Sequence, residues 1–402
     1  MADSLKKEKI LILTSSFPRY LNDIEGGGIF VYKLSKELQK KAEVIILAPF
    51  MAGSVKDYEI DGMKIKRFKF IPFNVGNLIN PSGLAETLHQ QKWKFILVPF
   101  LLLSQFISAI FLIKKEKINL IHSHWLIPQG LIGSSIRFIM GKKMKILCTV
   151  HGSDLNMSFG KIGDYFVSKA LKGIDIITVV SNELKNKADS FNSHSEIPVI
   201  PMGIDINKFC FNPNSKIKGE LKIEGKMLLF VGVFNEVKGI EYALKAMPKV
   251  LEYDNTIKFV LVGDGVIKND LIKICQELNI TANVIFAGFK SQNELPDYYS
   301  AADIVLMPSL SEGSPVVLPE ALNCGAVVLT SDIPIYKELI NEGINGFMSK
   351  VENSNSIAGK IISILSDPDG IKTVKSSSRE YILNNFDWKV VGEKYLSLIA
   401  KL

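Results

Sequence analysis

The sequence predicts an α/β chain of two doubly wound domains facing one another across a cleft. Two observations carry that expectation. Short β-branched apolar runs alternate with helix-length amphipathic segments, and the series stops and restarts near the middle of the 402 residues. A chain of this length can hold two domains, each with its own core. Apolar strands that run continuously, instead of alternating with polar residues, imply a parallel sheet covered on both faces.

In the first half the expected strands are KILILTSS (9–16), EVIILAP (43–49), INLIHSH (118–124), KILCTVHG (145–152) and DIITVVS (175–181). The Pro/Asn-rich stretch VIPMGIDINKFCFNPNS (199–215) has no clear period and reads as a linker. After it come KMLLFVGV (226–233), IKFVLVG (257–263), NVIFAG (283–288), DIVLMPS (303–309) and GAVVLTS (325–331). The expected domains are residues 1–205 and 206–380. Residues 92–117 form an apolar run of a length that can span a bilayer. Spanning would divide one parallel sheet between the two sides of the membrane, and Pro99, Ser104, Gln105 and Ser108 interrupt the run. A long helix packed on the first sheet is therefore expected. The alternative is a helix lying in a membrane interface, flanked by Lys92, Lys94, Lys114, Lys115 and Lys117.

Apolar residues at 47% and charged residues at 22% describe a globular chain. The four cysteines, Cys148, Cys210, Cys275 and Cys324, are scattered, which argues against a disulfide framework or a structural zinc and fits a reducing compartment. MADSLKKEKILILTSSFPRY has too short an apolar stretch for a signal peptide, so a cytoplasmic location is expected. The net charge of +7 is uneven, with +9 on residues 1–205 and −2 on residues 206–402. A basic first half favours an anionic partner, either a phosphorylated substrate or an acidic membrane surface. No zinc-finger spacing or aromatic-interleaved basic strand accompanies it, and no nucleic-acid partner is expected.

Ligands of open α/β sheets bind beyond the carboxyl ends of the strands, so the residues just after each strand are the candidates. Gly26, Gly27 and Gly28 follow the first strand and precede a helix. They would let a backbone approach an anion, although a plain loop fits equally. His122 and His124 alternate along their strand, are expected on opposite faces, and are read as structural instead of as a metal pair. His151 follows its strand directly and suits a side chain projecting into a cleft, against the alternative of a satisfied core histidine. Lys238 lies in the loop after the first strand of the second domain, where an ammonium suits a phosphate and an ordinary solvated lysine is equally at home.

The stretch SLSEGSPVVLPEALNCG (309–325) follows the strand DIVLMPS. Gly313 and Ser314 read as a turn, Pro315 as the first helical residue and Gly325 as a left-handed cap. Were the span fully helical, Glu312 and Glu320 would stand ~12 Å apart. That is long for two carboxylates acting on one bond, for which ~5–9.5 Å is expected, and suits two ends of an extended ligand. Backbone N–H groups between them would meet an anion. Pro319 removes a helical hydrogen bond, so the first turn is expected to be irregular.

Taken together these segments resemble the retaining glycosyltransferases of family 4, which have the GT-B fold. EGSPVVLPEALNCG matches their E-x7-E signature. The likeness extends over nearly the whole chain, through the turn at 26–28, HGSD (151–154), VVSNELK (179–185), IPMGIDINKF (200–209), Lys238-Gly239, LVGDG (261–265), VIFAGF (284–289) and YYSAADIVLMPSLSEGSP (298–315). The resemblance implies metal-independent transfer of a hexose-type sugar from a UDP- or GDP-linked donor, without a cofactor and with retention at the anomeric carbon. Glu312 would then meet the donor sugar and Glu320 the ribose. Backbone amides around Val316 and Val317, next to Gly313 and Ser314, would hold the diphosphate, with Lys238 adding charge. His151 would reach the sugar near the reacting carbon, Gly27 and Gly28 the phosphate or acceptor, and Gly288 and Phe289 the base. Residues 381–402 would be a helix crossing back to the first domain.

Retention without an obvious second nucleophile suggests same-face attack, with the leaving diphosphate taking the acceptor's proton. The acceptor would be lipid-linked or membrane-presented, in cell-envelope polysaccharide or glycolipid synthesis, with the enzyme peripheral on the inner face of the membrane. A soluble acceptor, a nucleotide-sugar epimerase and a catalytically silent partner subunit are the alternatives. The E-x7-E spacing disfavours the epimerase. The silent subunit draws on one departure: many members carry an Arg where this chain has Val233.

Overall fold

The computed structural model describes residues 8–19, 28–51, 53–69, 91–152, 155, 160–191 and 196–402. The chain forms two units, Met1–Met202 with Trp388–Leu402, and Gly203–Asp387. The last helix, Trp388–Ile399, thus belongs to the first unit, while the helix Pro368–Asn385, which contains residue 381, stays with the second.

In the first unit the strands are β1 (Lys9–Leu13), β2 (Glu43–Pro49), β3 (Asp57–Ile60), β4 (Met63–Phe68), β5 (Leu120–His124), β6 (Lys145–Val150) and β7 (Ile176–Val179). They order as β3-β4-β2-β1-β5-β6-β7, parallel except for β3 against β4. The continuous apolar runs have the expected cause. In β1, Ile10 and Ile12 enter one core with Val31, Leu34 and Leu38 of the helix Ile29–Gln39 and with Val391 and Tyr395 of the last helix. Leu11 and Leu13 enter the opposite core with Leu101, Ala109 and Ile113 of the helix Val98–Glu116 and with Ile132 and Ile136 of the helix Leu131–Met140. Each residue from Ile10 to Leu13 therefore meets an apolar layer.

The helix Val98–Glu116 is the long packed helix expected over 92–117, entered through a 3₁₀ segment at Lys92–Leu97. The hairpin β3–β4 has a two-residue turn in which Asp61 and Gly62 both take positive φ, 50° and 76°. That turn chemistry was present in the sequence as Asp-Gly between two short strands, and the strand list missed it.

The second unit holds β8 (Met227–Val231), β9 (Lys258–Val262), β10 (Val284–Gly288), β11 (Ile304–Met307), β12 (Val327–Ser331) and β13 (Phe347–Ser349). Their order is β10-β9-β8-β11-β12-β13, all parallel. Here too alternate residues divide between two cores. Leu229, Val260 and Val305 face one, and Leu228, Phe259 and Ile304 the other. In both units the chain leaves a central strand toward one side and returns on the other. The switch point lies between β1 and β5 in the first unit and between β8 and β11 in the second. A crevice opens beyond the strand ends at such a point.

Candidate active site

In the second unit, Lys238 and Glu312 come from the loops after β8 and β11, the two strands of the switch point. The loops are joined by their backbones, since Leu310 N–H donates to the carbonyl of Val237 at 2.8 Å. Gly239, at φ 60°, lets them close. A Cβ there would come within 2.2 Å of the Pro308 carbonyl oxygen, so no other residue permits this approach. Lys238 Nζ is thereby placed 2.6 Å from Glu312 Oε1. Ser309 donates to the same oxygen at 2.7 Å and Tyr336 at 3.4 Å. Three donors thus converge on Oε1. Among the described residues no hydrogen bond is made to Oε2. The carboxylate is 11% exposed and the lysine 27%, and a cleft of about 90 Å³ lies over the pair, bordered by Ser314, Val316 and Val317.

The helix after this loop runs from Val317 to Asn323, shorter than the expected span from Pro315. Starting at Val317 makes Pro319 its third residue, in the first turn, where N–H groups have no helical partner in any case. In that position Pro319 removes no helical hydrogen bond, and Pro315 and Val316 stand outside the helix. Gly325, at φ 78°, takes the left-handed cap position. Glu320 lies on the inner side of this helix, 7% exposed, and accepts from Tyr299 Oη at 3.1 Å. Burial pushes its carboxyl up to about 8, against the opposing pull of Tyr299 and Lys208. Asn323 donates to the Ile206 carbonyl at 3.0 Å and pins the segment that carries Lys208. Gly288 has φ 73° with open space where a Cβ would stand, and Phe289 is 71% exposed beside it.

The first unit places a different group beyond its strands. His122 and His124 do not point to opposite faces. Residues two apart in a strand share a face, and the two rings stack at 4.5 Å. His151, from the end of β6, extends the stack to His124 at 5.3 Å, with its Nε2 at 3.1 Å from His124 Nδ1. Phe30 and Trp125 flank His151 at 4.7 and 5.0 Å. At the inner end His122 Nε2 meets Thr149 Oγ1 at 2.9 Å, and Thr149 in turn meets Tyr395 of the last helix at 3.1 Å. Burial lowers the imidazoles of His122 and His151 to about 3 and holds His124 well below its ordinary value. All three are neutral at pH 7. Their rings lie nearly parallel instead of converging on a point. Among the described residues no three His, Cys, Asp or Glu side chains are grouped to hold a metal ion.

Gly28, at φ 86°, starts the helix Ile29–Gln39, and a Cβ there would meet the Ser16 carbonyl oxygen at 2.2 Å. Its immediate work is to close the turn beside β1. Gly26 and Gly27 lie outside the described residues.

Comparison with known proteins identifies the family. The family model described as Glycosyltransferase Family 4 matches residues 24–208, and the one described as Glycosyl transferases group 1 matches residues 212–382. An uncharacterized glycosyltransferase of Methanocaldococcus jannaschii is 32% identical over 297 residues, covering 70% of this chain and 72% of its own. The chain belongs to glycosyltransferase family 4. The alpha-monoglucosyldiacylglycerol synthase of Streptococcus pneumoniae is 28% identical over 402 residues, covering 94% of this chain and 84% of its own. A sucrose-phosphate synthase of Thermosynechococcus elongatus shares the fold, with a TM-score of 0.79 at 19% identity over 98% of this chain and 99% of its own. The two parallel-sheet units are thus those of a GT-B glycosyltransferase.

For a family 4 enzyme the sequence missed the residues that hold the named ones in place. Ser309 and Tyr336 orient Glu312, Tyr299 orients Glu320, and Phe30, Trp125 and His124 fix His151. Ser309 could have been found, because it ends the strand-exit run MPS. Tyr336 and Tyr299 carried no spacing signal. Val233 is 60% exposed just beyond β8.

Proposed function

We propose that this glycosyltransferase transfers a hexose from a UDP- or GDP-linked donor, with retention and without a metal ion. The acceptor is lipid-linked or membrane-presented, the product a cell-envelope polysaccharide or glycolipid, and the reaction cytoplasmic. The observation that carries the donor half is the convergence of Lys238, Ser309 and Tyr336 on one oxygen of Glu312 beside the cleft. A carboxylate fixed through one oxygen presents the other to sugar hydroxyls in a set orientation, and such preorganisation lowers the barrier. Lys238 supplies the positive charge next to that position, where the diphosphate of a leaving nucleotide accumulates charge. Backbone amides of Val316 and Val317, with Gly313 and Ser314, flank the phosphates, and Glu320 takes the ribose, its Tyr299 hydrogen bond holding the carboxyl in place.

In the first unit, His151 presents a neutral imidazole between Phe30 and Trp125, with Nε2 committed to His124 and Nδ1 left for the sugar near the reacting carbon. Gly27 and Gly28 are assigned to the phosphate or acceptor, and Gly288 with Phe289 to the base. The acceptor class is supported by the pneumococcal relative, named as a synthase of a glucosylated diacylglycerol.

The test is sugar transfer by Glu312→Ala, after the donor has been found by thermal-shift screening of UDP- and GDP-sugars. Transfer should fall about a thousandfold with the melting temperature nearly kept. Unchanged transfer to a demonstrated acceptor would remove Glu312 from the site. Failure of the unaltered protein to bind any nucleotide sugar would favour a silent partner subunit, the reading that Val233 invites.

A further inference from the structure

The hydrogens of the three stacked histidines can be placed one by one. A neutral imidazole has one N–H and one bare nitrogen, and the bond made by one nitrogen decides which carries the hydrogen. His122 Nδ1 and His124 Nε2 are fully buried and, among the described residues, have no hydrogen-bond partner. An unpaired buried N–H forfeits a strong bond to water, whereas a bare lone pair forfeits a weaker one. Both atoms are therefore bare, and the hydrogen of His122 is on Nε2, donating to Thr149 Oγ1 at 2.9 Å. The surroundings of Thr149 agree. Thr149, Tyr395 and Thr178 close a ring of three hydroxyls at 3.1, 3.3 and 2.9 Å, in which each donates to the next. Thr149 gives its hydrogen to Tyr395 and keeps a lone pair for His122. For His124 the same rule puts the hydrogen on Nδ1, 3.1 Å from His151 Nε2, to which it donates. His151 Nε2 then accepts, so the hydrogen of His151 lies on Nδ1. His151 is half-buried at the end of β6, and its Nδ1 has no partner among the described residues. To turn round, the pair would have to leave an N–H on His124 Nε2 with nothing to receive it.

We propose that His124 is a positioning residue that locks His151 in the Nδ1–H tautomer, so that His151 meets the donor sugar as a hydrogen-bond donor and not as a base. The inference deepens the functional reading above, because it rests on His151 reaching the donor sugar. It names what His151 recognises there: an oxygen of the sugar that offers a lone pair. A donor in that place orients the sugar and stabilises charge that builds on the oxygen. A general base needs a bare nitrogen, and the one that His151 has is already filled by His124. Burial, which lowers the His151 imidazole to about 3, keeps the ring neutral at pH 7. The stack holds the rings in register. His124 lies between His122 at 4.5 Å and His151 at 5.3 Å, with Phe30 at 6.2 Å.

The experiment is long-range proton–nitrogen correlation of the full chain labelled with nitrogen-15 histidine, in which protonated and bare ring nitrogens resonate far apart. The chain has five histidines, assigned by substituting each in turn. His151 is expected with its hydrogen on Nδ1 and a bare Nε2, and His122 with its hydrogen on Nε2. A hydrogen on His151 Nε2, or two tautomers in comparable amounts, would overturn the proposal whatever the activity. His124→Phe keeps a ring in the stack and removes the donor. It should bring the second tautomer of His151 into view and lower kcat by at least the fraction that has turned round. The melting temperature and the affinity for the donor's nucleoside diphosphate should be nearly kept. His124→Asn, whose amide donates from about the place of Nδ1, should restore both tautomer and kcat. An unchanged tautomer and kcat in His124→Phe would overturn the positioning role. At His151 itself, Asn keeps a donor whereas Asp, of the same shape, only accepts. His151→Asn should therefore retain transfer about tenfold or more above His151→Asp. The reverse order would make His151 a base and overturn the proposal. Unchanged transfer by His151→Ala would remove His151 from the sugar site, sinking that part of the functional reading while the tautomer stands.

Discussion

The two units share an architecture and differ in how they hold polar groups beyond their strands. At the switch point of the second unit a charged pair, Lys238 and Glu312, is assembled from two loops, with Glu320 buried behind it. At the corresponding end of the first unit stand three stacked, neutral histidines walled by Phe30 and Trp125. A parallel sheet thus fixes where a site lies and leaves its electrostatics to the loop residues. The outer surfaces differ as well. Exposed apolar side chains of the second unit, such as Phe211, Val266 and Ile344, are scattered along the chain, whereas in the first Phe100, Leu103, Ile107 and Phe111 form a stripe on one helix.

The sharpest way to break this contrast is at the charged pair. Lys238→Ala should weaken donor binding ten- to a hundredfold, read by titration of the nucleotide sugar. Combined with Glu312→Ala, the loss in kcat/KM should be smaller than the product of the two single losses, because each residue acts through the other. Strict multiplicativity would mean that they act on the ligand independently.

Acidity separates the units next. Folded His122 and His151 bind protons only near pH 3, whereas unfolded histidine does so below about 6.5. Stability of the first unit is therefore complete above pH 6.5 and is lost as the pH falls from there toward 3, by up to about 1.4 kcal/mol per pH unit for each group. Glu320 has the opposite sign. Its folded carboxyl holds its proton up to about 8, so its contribution is complete below pH 4.5 and is lost as the pH rises through 8. Chemical denaturation followed across pH 4–9 should show both slopes. Glu320→Gln should flatten the alkaline one and leave the acid one intact.

A smaller effect is expected from Tyr299→Phe, about 1 kcal/mol of stability, with the loss on raising the pH extending to a higher pH because the hydroxyl no longer favours the carboxylate. Smallest should be Val233→Arg. The side chain is exposed, so the substitution should leave the melting temperature nearly unchanged and tighten donor binding about three- to tenfold. No tightening would place the diphosphate away from the exit of β8.

Ten strands were legible because each is a β-branched run with apolar neighbours on both sides, and such runs have little choice of environment. The hairpin β3–β4 was overlooked although Asp61-Gly62 announced it, and the three-residue β13 had too few residues to show a period. The positions of Lys238, Glu312 and His151 at strand ends were legible too, from the rule that chemistry gathers there. The histidine stack was misread through a period error, since the sequence already put His122 and His124 on one face.

The chain by itself determined the two α/β units, the packed helix over 92–117 and the loops that carry the candidate residues, because these follow from local periodicity and turn chemistry. Only the tertiary structure decided that Tyr336 and Ser309 would grip Glu312, that Tyr395 would close the histidine column and that one side of the helix Val98–Glu116 would stay bare. Those facts depend on residues far apart in sequence meeting across packed elements. No pattern along the chain encodes such a meeting, because it is set by which faces the sheet leaves for them.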